Sequence, residues 1–452
     1  MSRVAVVGGG ITGLAAAHYL AKSGAEVVVL ESSGRLGGKV LTERHEDLTV
    51  EAGPDSFLDR EPAAASLCRE LGLGRDLVSP ARFGALVWTG TKLAQLPAGF
   101  PHGIPSSPYR AWRSGLLSGR GALRACTDLF NPRPVSGPDL SLGAFVSHRF
   151  GSEVLENLVD PLLAGTRAGG AESLSLAAAT PVIDSLARRN RSLIAGLRGP
   201  DPTGTPPFLA VDGGMDRLVE RLAAVLGERA EVRTGAGVAR VQSSTKGFEL
   251  KLAAGGTVEA QAVILAVPAF AAAALLAQLS PRAAARLATI QYASVASVTL
   301  VFPQGSWTPP EGTSGLLVSR AARATLAACS WTSHKWPETA PADGSLVMRC
   351  FAGRSGADPA LQVPDDELAR RLAADLRAAI GLDVSPVRSK VTRWERGLPQ
   401  YAVGHLERVA AAERALEAYP GVTLAGAGYR GSGLPDCIRQ GQEAAARVLE
   451  RV

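Results

Sequence analysis

Cysteine is scarce: five in 452 residues, at positions 68, 126, 329, 350 and 437, far apart and without any C-x-x-C. That pattern excludes a disulfide framework and a zinc cluster, and it suits a reducing cytosol. Histidine is sparse too, with six residues, and none falls at the spacing of a catalytic dyad or metal site. Long apolar runs are missing. The longest, Ala262 to Ala277, is short for a membrane span and contains Pro268, so it reads as a buried strand, Ala262 to Val267, feeding an alanine-rich helix. Lysine is rare beside arginine, and the net charge of +6 is scattered with no basic run. This argues against nucleic acid as a partner and leaves only local recognition of an anionic ligand. There is no internal repeat and no low-complexity tail. The first strand pattern begins at residue 3, which is expected to leave no room for a signal peptide.

What is present starts at the N-terminus. Arg3-Val4-Ala5-Val6-Val7 runs into Gly8-Gly9-Gly10-Ile11-Thr12-Gly13 and then an Ala/Leu helix from Leu14 to Leu20. This is the strand, turn and helix of a dinucleotide-binding βαβ unit. Gly8 allows the tight turn, Gly10 lets backbone approach a pyrophosphate, Gly13 allows close helix–strand packing, and the helix N-terminus faces the phosphates. A second strand, Glu26 to Leu30, ends at Glu31, where a carboxylate can bond a ribose hydroxyl. Strand, helix, second strand and acid agree on an adenine-dinucleotide site.

A 46% hydrophobic content over 452 residues predicts two or three domains with real cores. The βαβ unit reaches about residue 77, and strands are expected at Ala85 to Trp88 and Leu93 to Leu96. From Pro101 the texture turns to Gly/Pro/Ser connections and helices, including Leu142 to Phe150 and Val154 to Leu163, as in an inserted helical domain. Pro200 to Pro207 reads as a linker. An amphipathic helix follows with Met215, Leu218, Val219, Leu222 and Leu226 on its apolar face. Strands resume at 231–232, 239–241, 248–252 and 263–267. A further sheet is expected from 295–302, 315–318, 325–330 and 346–351, with a helix over 365–380. Val422 to Gly426, Gly431-x-Gly433 and a last helix repeat the strand, glycine turn and helix pattern. One domain is therefore expected from 1–80, 208–268 and 388–452, a second from 81–100 and 269–387, and a helical insert from 101–207. The fold class is α/β, with a Rossmann-like domain of discontinuous segments beside a mixed-sheet domain.

Glu31-Ser32-Ser33-Gly34-Arg35-Leu36-Gly37-Gly38-Lys39 intervenes after the second strand. Its R-x-G-G turn brings an arginine and bare glycine amides to the cofactor, which favours FAD over NAD. Gly53-Pro54-Asp55-Ser56 is a second rigid, backbone-exposing turn. At the far end, the amides near Gly433, Leu434 and Pro435 open the last helix. They either cap it simply or face the flavin pyrimidine edge, where a helix N-terminus stabilises negative charge on reduced flavin.

In order along the chain stand GGGITGLAAA from Gly8, RLGGK from Arg35, GPDSFLDR from Gly53, GIPSS from Gly103, DPLLAG from Asp160 and RSLIAGL from Arg191. VILAVPA from Val263, WTSHKWP from Trp331, TRWERGLPQYAVGHLERV from Thr392 and GLPDCI from Gly433 complete the series. The whole chain resembles the protoporphyrinogen and coproporphyrinogen oxidases of the flavin amine-oxidase superfamily. GPDSF, PQYxVGH and GLPDC are its narrower motifs, and with WTxxKWP they look most like the Gram-positive type that acts on coproporphyrinogen III. The resemblance implies FAD contacts at Gly8, Gly9, Gly10, Ile11, Thr12, Gly13, Glu31, Ser32, Arg35, Gly38, Lys39, Gly53, Pro54, Asp55 and Ser56. It also implies the backbone of Val238 near the adenine, Trp394 near the ring and Gly433 to Pro435 at the pyrimidine end. Trp394 taken alone reads as a core aromatic. By the same resemblance FAD is bound non-covalently, Cys437 is structural and no metal takes part.

The implied reaction moves hydride from a methylene bridge of the porphyrinogen to flavin N5 over three two-electron rounds, and dioxygen becomes hydrogen peroxide. Aromatisation drives it, so positioning matters more than a strong base. His405 and His334 accordingly read as structural, and Lys335 as structural or solvated. The resemblance puts Asp160 to Gly169 along the macrocycle cleft, Ala168 and Gly169 included, with the backbone near Gly165 close to the reacting face; Leu317 in G-L-L-V reads either as an apolar wall of that cleft or as plain sheet core. Related chains carry an aromatic residue where Gly165-Thr166-Arg167-Ala168-Gly169 has Arg167. That change either weakens a packing contact or supplies a cation for a propionate. The helical insert resembles a part that docks on membranes in some relatives. Trp112, Leu116 and Leu117 are expected to be buried within it, leaving at most peripheral membrane contact. A ferrochelatase is the partner implied downstream. The alternatives are protoporphyrinogen IX as substrate, an amine oxidase or carotenoid desaturase, and a non-catalytic porphyrin-binding flavoprotein.

Overall fold

The structure, a computed structural model, describes residues 3–45, 47–130, 135–197, 208–354 and 358–451. The expected linker Pro200 to Pro207 lies outside the described residues, as does the side chain of Thr166. A five-stranded parallel sheet holds the strands in the order Glu231–Arg233, Glu26–Leu30, Arg3–Val7, Ala262–Leu265, Val422–Leu424. Both its faces are covered, which is why these strands read as unbroken apolar runs rather than alternating ones. Val4, Val6, Val27 and Val29 face helices Ile11–Lys22, Asp216–Gly227 and Leu434–Leu449. Ala5, Val7, Val28 and Leu30 face helices Ala269–Leu276 and Pro281–Ala288 and a three-stranded meander, Val238–Ser244, Gly247–Leu252 and Thr257–Ala260.

The second sheet has seven strands in the order Arg388–Pro399, Tyr292–Phe302, Leu346–Ala352, Leu326–Trp331, Thr313–Val318, Gly84–Trp88, Leu93–Gln95. All its pairs are antiparallel except Thr313–Val318 with Gly84–Trp88. Helix Asp365–Ile380 covers one face through Leu368, Leu372 and Leu376. Two boundaries read from the sequence move. Helices 269–288 pack on the parallel sheet, because their alanines and leucines fill its second face. Strand 388–399 is hydrogen-bonded into the seven-stranded sheet instead of continuing the parallel one.

The segment from Pro101 to Leu197 is helical around its own core, which includes Phe145, Phe150, Leu158 and Ile183. The helix expected over 154–163 is broken into an α-turn Ser152–Val154, a π-helical turn Leu155–Val159 and helix Asp160–Arg167. Pro161 accounts for this, since it cannot donate the amide bond that a continuous α-helix requires. Leu116 and Leu117 are buried as expected, but Trp112 is exposed and lies tilted by 47° to Tyr109 with ring centroids 5.8 Å apart. Among the described residues no helix is long and apolar enough to cross a membrane.

Candidate functional site

The glycine turn sits at the C-terminal edge of the parallel sheet, where Gly8 N–H donates to the Leu30 carbonyl at 2.8 Å. Gly8 has φ +105°, and a Cβ there would lie 2.5 Å from the Ala266 carbonyl oxygen. A Cβ on Gly13 would lie 1.9 Å from the Gly8 carbonyl oxygen. These two glycines are thus used up by the protein's own packing. Gly10 differs: a Cβ there would meet nothing nearer than Gly38 Cα at 4.0 Å. The open side of the turn is therefore at Gly10, in front of helix Ile11–Lys22. That helix carries no side-chain cap, and its first residues Ile11, Thr12 and Gly13 are buried. Uncapped, buried N–H groups at a helix start suit a pyrophosphate.

Glu31 closes one side of this cradle. Its Oε2 accepts from Gly9 N–H at 2.7 Å, and its Oε1 from Ser33 N–H at 2.7 Å and from the Ser32 hydroxyl at 3.3 Å. The Glu31 carbonyl accepts from Ala236 N–H and the Ser33 carbonyl from Gly235 N–H, both at 2.8 Å. These bonds bring Val238, the first residue of the meander, beside Ser32. On the other side Gly37 N–H donates to the Gly9 carbonyl at 2.8 Å, which stacks the R-x-G-G turn on the glycine turn. Arg35 spends its guanidinium on the carbonyls of Leu36, Gly38 and Val40, so it holds this turn's shape. Lys39 has no partner among the described residues; burial lowers its pKa, and the nearby Cys437 offsets part of that. Cys437 is a free thiol, pushed up to about 11 by burial.

The Gly53 turn is held from behind by groups from the far half of the chain. A Cβ on Gly53 would lie 1.7 Å from the Lys39 carbonyl oxygen, so only glycine lets the two turns touch. Trp394 Nε1–H donates to the Ala52 carbonyl at 2.9 Å. Arg349 is buried in the middle of strand Leu346–Ala352; it donates to the Gly53 carbonyl and, through Nε, to the Ser297 hydroxyl at 2.9 Å. The Asp55 carboxylate faces away from the glycine turn. It accepts from Lys335 Nζ at 2.8 Å, Trp336 Nε1–H at 3.3 Å and the Ser56 hydroxyl at 2.9 Å. Burial alone would raise the Asp55 pKa, but Lys335 and Arg349 outweigh it and hold the carboxyl below the usual range. Neighbouring Glu51 is pushed up to about 7 by burial, although Met215 N–H and the Thr42 hydroxyl donate to it. Asp55 and Lys335 act here as a buried brace, and Pro54 keeps the turn between them rigid.

At the third corner Gly433 precedes helix Leu434–Leu449, whose first turn, Leu434 and Pro435 included, has no side-chain cap. A Cβ on Gly441 of this helix would lie 2.5 Å from the Thr12 carbonyl oxygen, so the two uncapped helices cross closely. Helix Asp160–Arg167 approaches from the insert. Gly165 lets it lie against the seven-stranded sheet, where a Cβ would come within 3.0 Å of Ala328 Cβ and 3.3 Å of Leu317 Cδ2. Ala168 is left-handed at φ 53°, and Gln400 Nε2–H donates to the Arg167 carbonyl at 2.9 Å. The Gln400 Oε1 atom lies over Gly169, 2.4 Å from where a Cβ would be.

No motif singles out Arg349, whereas Gln400 and Tyr401 stand within PQYxVGH without an individual role. Arg349 carried a usable signal, a single charge inside the apolar run Leu346-Val347-Met348-Arg349-Cys350-Phe351. His405 is fully buried, its Nε2 2.8 Å from the Tyr429 carbonyl and its ring stacked on Tyr401 at 4.2 Å, a structural role.

A family model described as flavin containing amine oxidoreductase matches residues 11–449. A coproporphyrinogen III oxidase of Bacillus subtilis (strain 168) is 36% identical, covering 99% of this chain and 97% of its own length. One of Propionibacterium freudenreichii subsp. freudenreichii is 33% identical, covering 98% of this chain and 90% of its own. A crystal structure from Exiguobacterium sp. 255-15, provisionally named a protoporphyrinogen oxidase, superposes with a TM-score of 0.89 at 33% identity over 100% of this chain and 99% of that one.

Proposed function

This chain belongs to the flavin-containing amine oxidoreductase family, and on that premise we propose that it oxidises coproporphyrinogen III to coproporphyrin III in heme biosynthesis. FAD is its non-covalent cofactor. The observation that carries the reading is likeness over the full length of named coproporphyrinogen III oxidases, joined to a cradle of the right kind. That cradle has one open glycine, two uncapped helix starts, a carboxylate at the end of the second strand and a half-buried lysine with no partner among the described residues. When bound, the flavin takes up hydride from a porphyrinogen carbon and passes the electrons to dioxygen, with hydrogen peroxide as the product.

The chain's own part is to place and to shield. Gly8 to Gly13, Ser32, Lys39 and the backbone beside Val238 hold the adenosine and pyrophosphate portion, while the Gly53 to Ser56 turn and Gly433 to Pro435 border the ring. Arg349 and Trp394, from strands of the seven-stranded sheet, and Lys335, from the short helix beside it, hold that turn rigid. The parallel-sheet unit serves the cofactor and the seven-stranded sheet the substrate, with Gly165 and Leu317 packed on one another in the wall behind it. No buried base is required of the chain, because the aromatic product makes the oxidation favourable and positioning supplies the rate. Dioxygen as terminal acceptor, a ferrochelatase as receiver of the product and a cytoplasmic site with peripheral membrane contact at most belong to the same proposal.

The test is anaerobic flavin bleaching in a stopped-flow instrument, with coproporphyrinogen III and protoporphyrinogen IX in separate runs at equal concentration. Faster and tighter bleaching by the four-carboxylate compound is expected. Preference for protoporphyrinogen IX would reassign the substrate, and bleaching by neither would overturn the reading.

A further inference from the structure

Between strand Val422–Leu424 and helix Leu434–Leu449 the chain passes through residues 425–433, among them Gly426, Gly428, Gly431 and Gly433. Gly426 and Gly431 are left-handed, at φ +127° and +100°. A stretch so rich in glycine has many backbone states open to it, and what fixes one of them must come from outside. Buried side chains supply it. Tyr401 Oη donates to the Ala427 carbonyl at 2.6 Å and accepts from Gly431 N–H at 3.0 Å, so one hydroxyl ties the two ends of the loop together. His405, whose ring stacks on that of Tyr401 at 4.2 Å, donates through Nε2 to the Tyr429 carbonyl at 2.8 Å. From the other side Gln440, on the last helix itself, donates through Nε2 to the Arg430 and Gly431 carbonyls at 3.1 and 3.0 Å and accepts from Arg430 N–H at 3.3 Å. Tyr401, His405 and Gln440 are all buried.

Tyr401 is anchored in turn by the helical insert. Its carbonyl accepts from Ser175 N–H at 2.7 Å, neighbouring Gln400 donates to the Arg167 carbonyl at 2.9 Å, and the Arg167 guanidinium lies toward the Tyr401 ring, Cζ 5.7 Å from the centroid. Tyr429 in the same loop is different: its hydroxyl is buried with no hydrogen-bond partner among the described residues.

The loop ends at Gly433, so its shape decides where helix Leu434–Leu449 begins. That start has no side-chain cap. The field of a helix terminus falls off within about one turn, so a small displacement of the start changes how strongly it holds a negative charge and changes little for a neutral group. Oxidised flavin is neutral at its pyrimidine end and reduced flavin is not. A loop held at both ends by one rigid phenol and along its length by Gln440 therefore bears on the difference between the two states.

We propose that Tyr401 and Gln440 are positioning residues that set the reduction potential of the bound flavin, by holding the 425–433 loop and with it the start of the last helix against the pyrimidine end of the ring. This rests on the flavin reading above.

The experiment measures the two-electron midpoint potential of the flavin against a reference dye in FAD-loaded wild type, Tyr401→Phe, Gln440→Met and Tyr429→Phe, with FAD affinity and melting temperature recorded alongside. Tyr401→Phe keeps the ring and its stack on His405 and loses only the two bonds to the loop. In it and in Gln440→Met the affinity for reduced relative to oxidised flavin is expected to fall about tenfold, the effect of one helix terminus on a facing charge, which lowers the potential by about 30 mV for a two-electron couple. Tyr429→Phe removes a hydroxyl from the same loop without removing a bond and should leave the potential in place. A lower melting temperature with an unchanged potential in both Tyr401→Phe and Gln440→Met would make their role structural only and overturn the proposal, and so would an equal shift in Tyr429→Phe. If Tyr401→Phe does not fold, Gln440→Met decides by the same ratio. Wild type that takes up no FAD would overturn the flavin reading itself and the proposal with it.

Discussion

Lys335 and Asp55 lie 280 residues apart in the chain and 2.8 Å apart in space, each largely buried. The contact ties the short helix Thr332–Lys335 at the end of the seven-stranded sheet to the turn beside the parallel sheet. It makes Lys335 a brace for the Gly53 turn, and this accounts for the largely buried lysine of the W-T-S-H-K-W stretch.

Replacing that lysine leaves a carboxylate buried with less compensation. Lys335→Met should lower unfolding stability by about 3 kcal/mol and reduce bound flavin, and adding Asp55→Asn should recover part of both, since the uncompensated charge is then gone. Urea unfolding and the flavin-to-protein absorbance ratio measure the two effects. Equal losses in the single and double variants would refute the brace.

Gly10 and Gly13 differ in what fills the space of a missing side chain, so their alanine variants should fail differently. Gly10→Ala meets open space and should fold with a near-normal melting temperature yet bind FAD weakly. Gly13→Ala drives a methyl into the Gly8 carbonyl and should lose several degrees of melting temperature as well. Calorimetry of both flavin-free proteins, with FAD titration, separates the two outcomes.

Glu51 and His405 should set opposing pH dependences. Glu51 is raised to about 7 from 4.5, so the folded protein holds its proton through that window and loses stability as pH rises. His405 is lowered to about 4 from 6.5, so the unfolded chain holds the proton and stability is lost as pH falls. Each is worth about 3 kcal/mol across its window. As pH rises, Glu51→Gln should gain stability relative to wild type between pH 4.5 and 7; as pH falls, His405→Gln should gain relative to wild type between pH 6.5 and 4, because it lacks the wild-type loss. Denaturant unfolding at several pH values reads both differences, and parallel curves for wild type and variant would contradict the assignment.

Trp394→Phe removes one donor to the Ala52 carbonyl while keeping an aromatic ring. Stability should fall by about 1 kcal/mol, and the visible circular dichroism of the bound flavin should change because the turn beside it relaxes. An unaltered flavin spectrum would place Trp394 in the core alone, as its sequence context by itself suggested.

Local patterns made the N-terminal βαβ unit, the last helix and the helix over 365–380 legible, because each is decided by neighbouring residues: an apolar run, a glycine turn, a 3.6-residue stripe. Strand 388–399 was not read as part of the seven-stranded sheet. It is an edge strand, and Arg388, Lys390, Arg393, Glu395 and Arg396 give it the polar composition by which edges avoid further pairing. The hairpin Thr42–His45 with Leu48–Glu51 escaped for a similar reason, since its acids and hydroxyls look like loop until Met215 N–H comes to meet Glu51.

By itself the sequence determined that this chain carries the strand, glycine turn and helix of a dinucleotide cradle and that the two glycine turns after it suit a flavin. Those properties rest on short-range sterics, chiefly the absence of a Cβ where chain must touch chain. Only the tertiary structure decided that Asp55 turns its charge to Lys335, that Arg349 and Trp394 hold the Gly53 turn, and that the Arg167 guanidinium lies toward the Tyr401 ring. Charges find their partners through packing between segments hundreds of residues apart, and no local pattern records which ones will be left over.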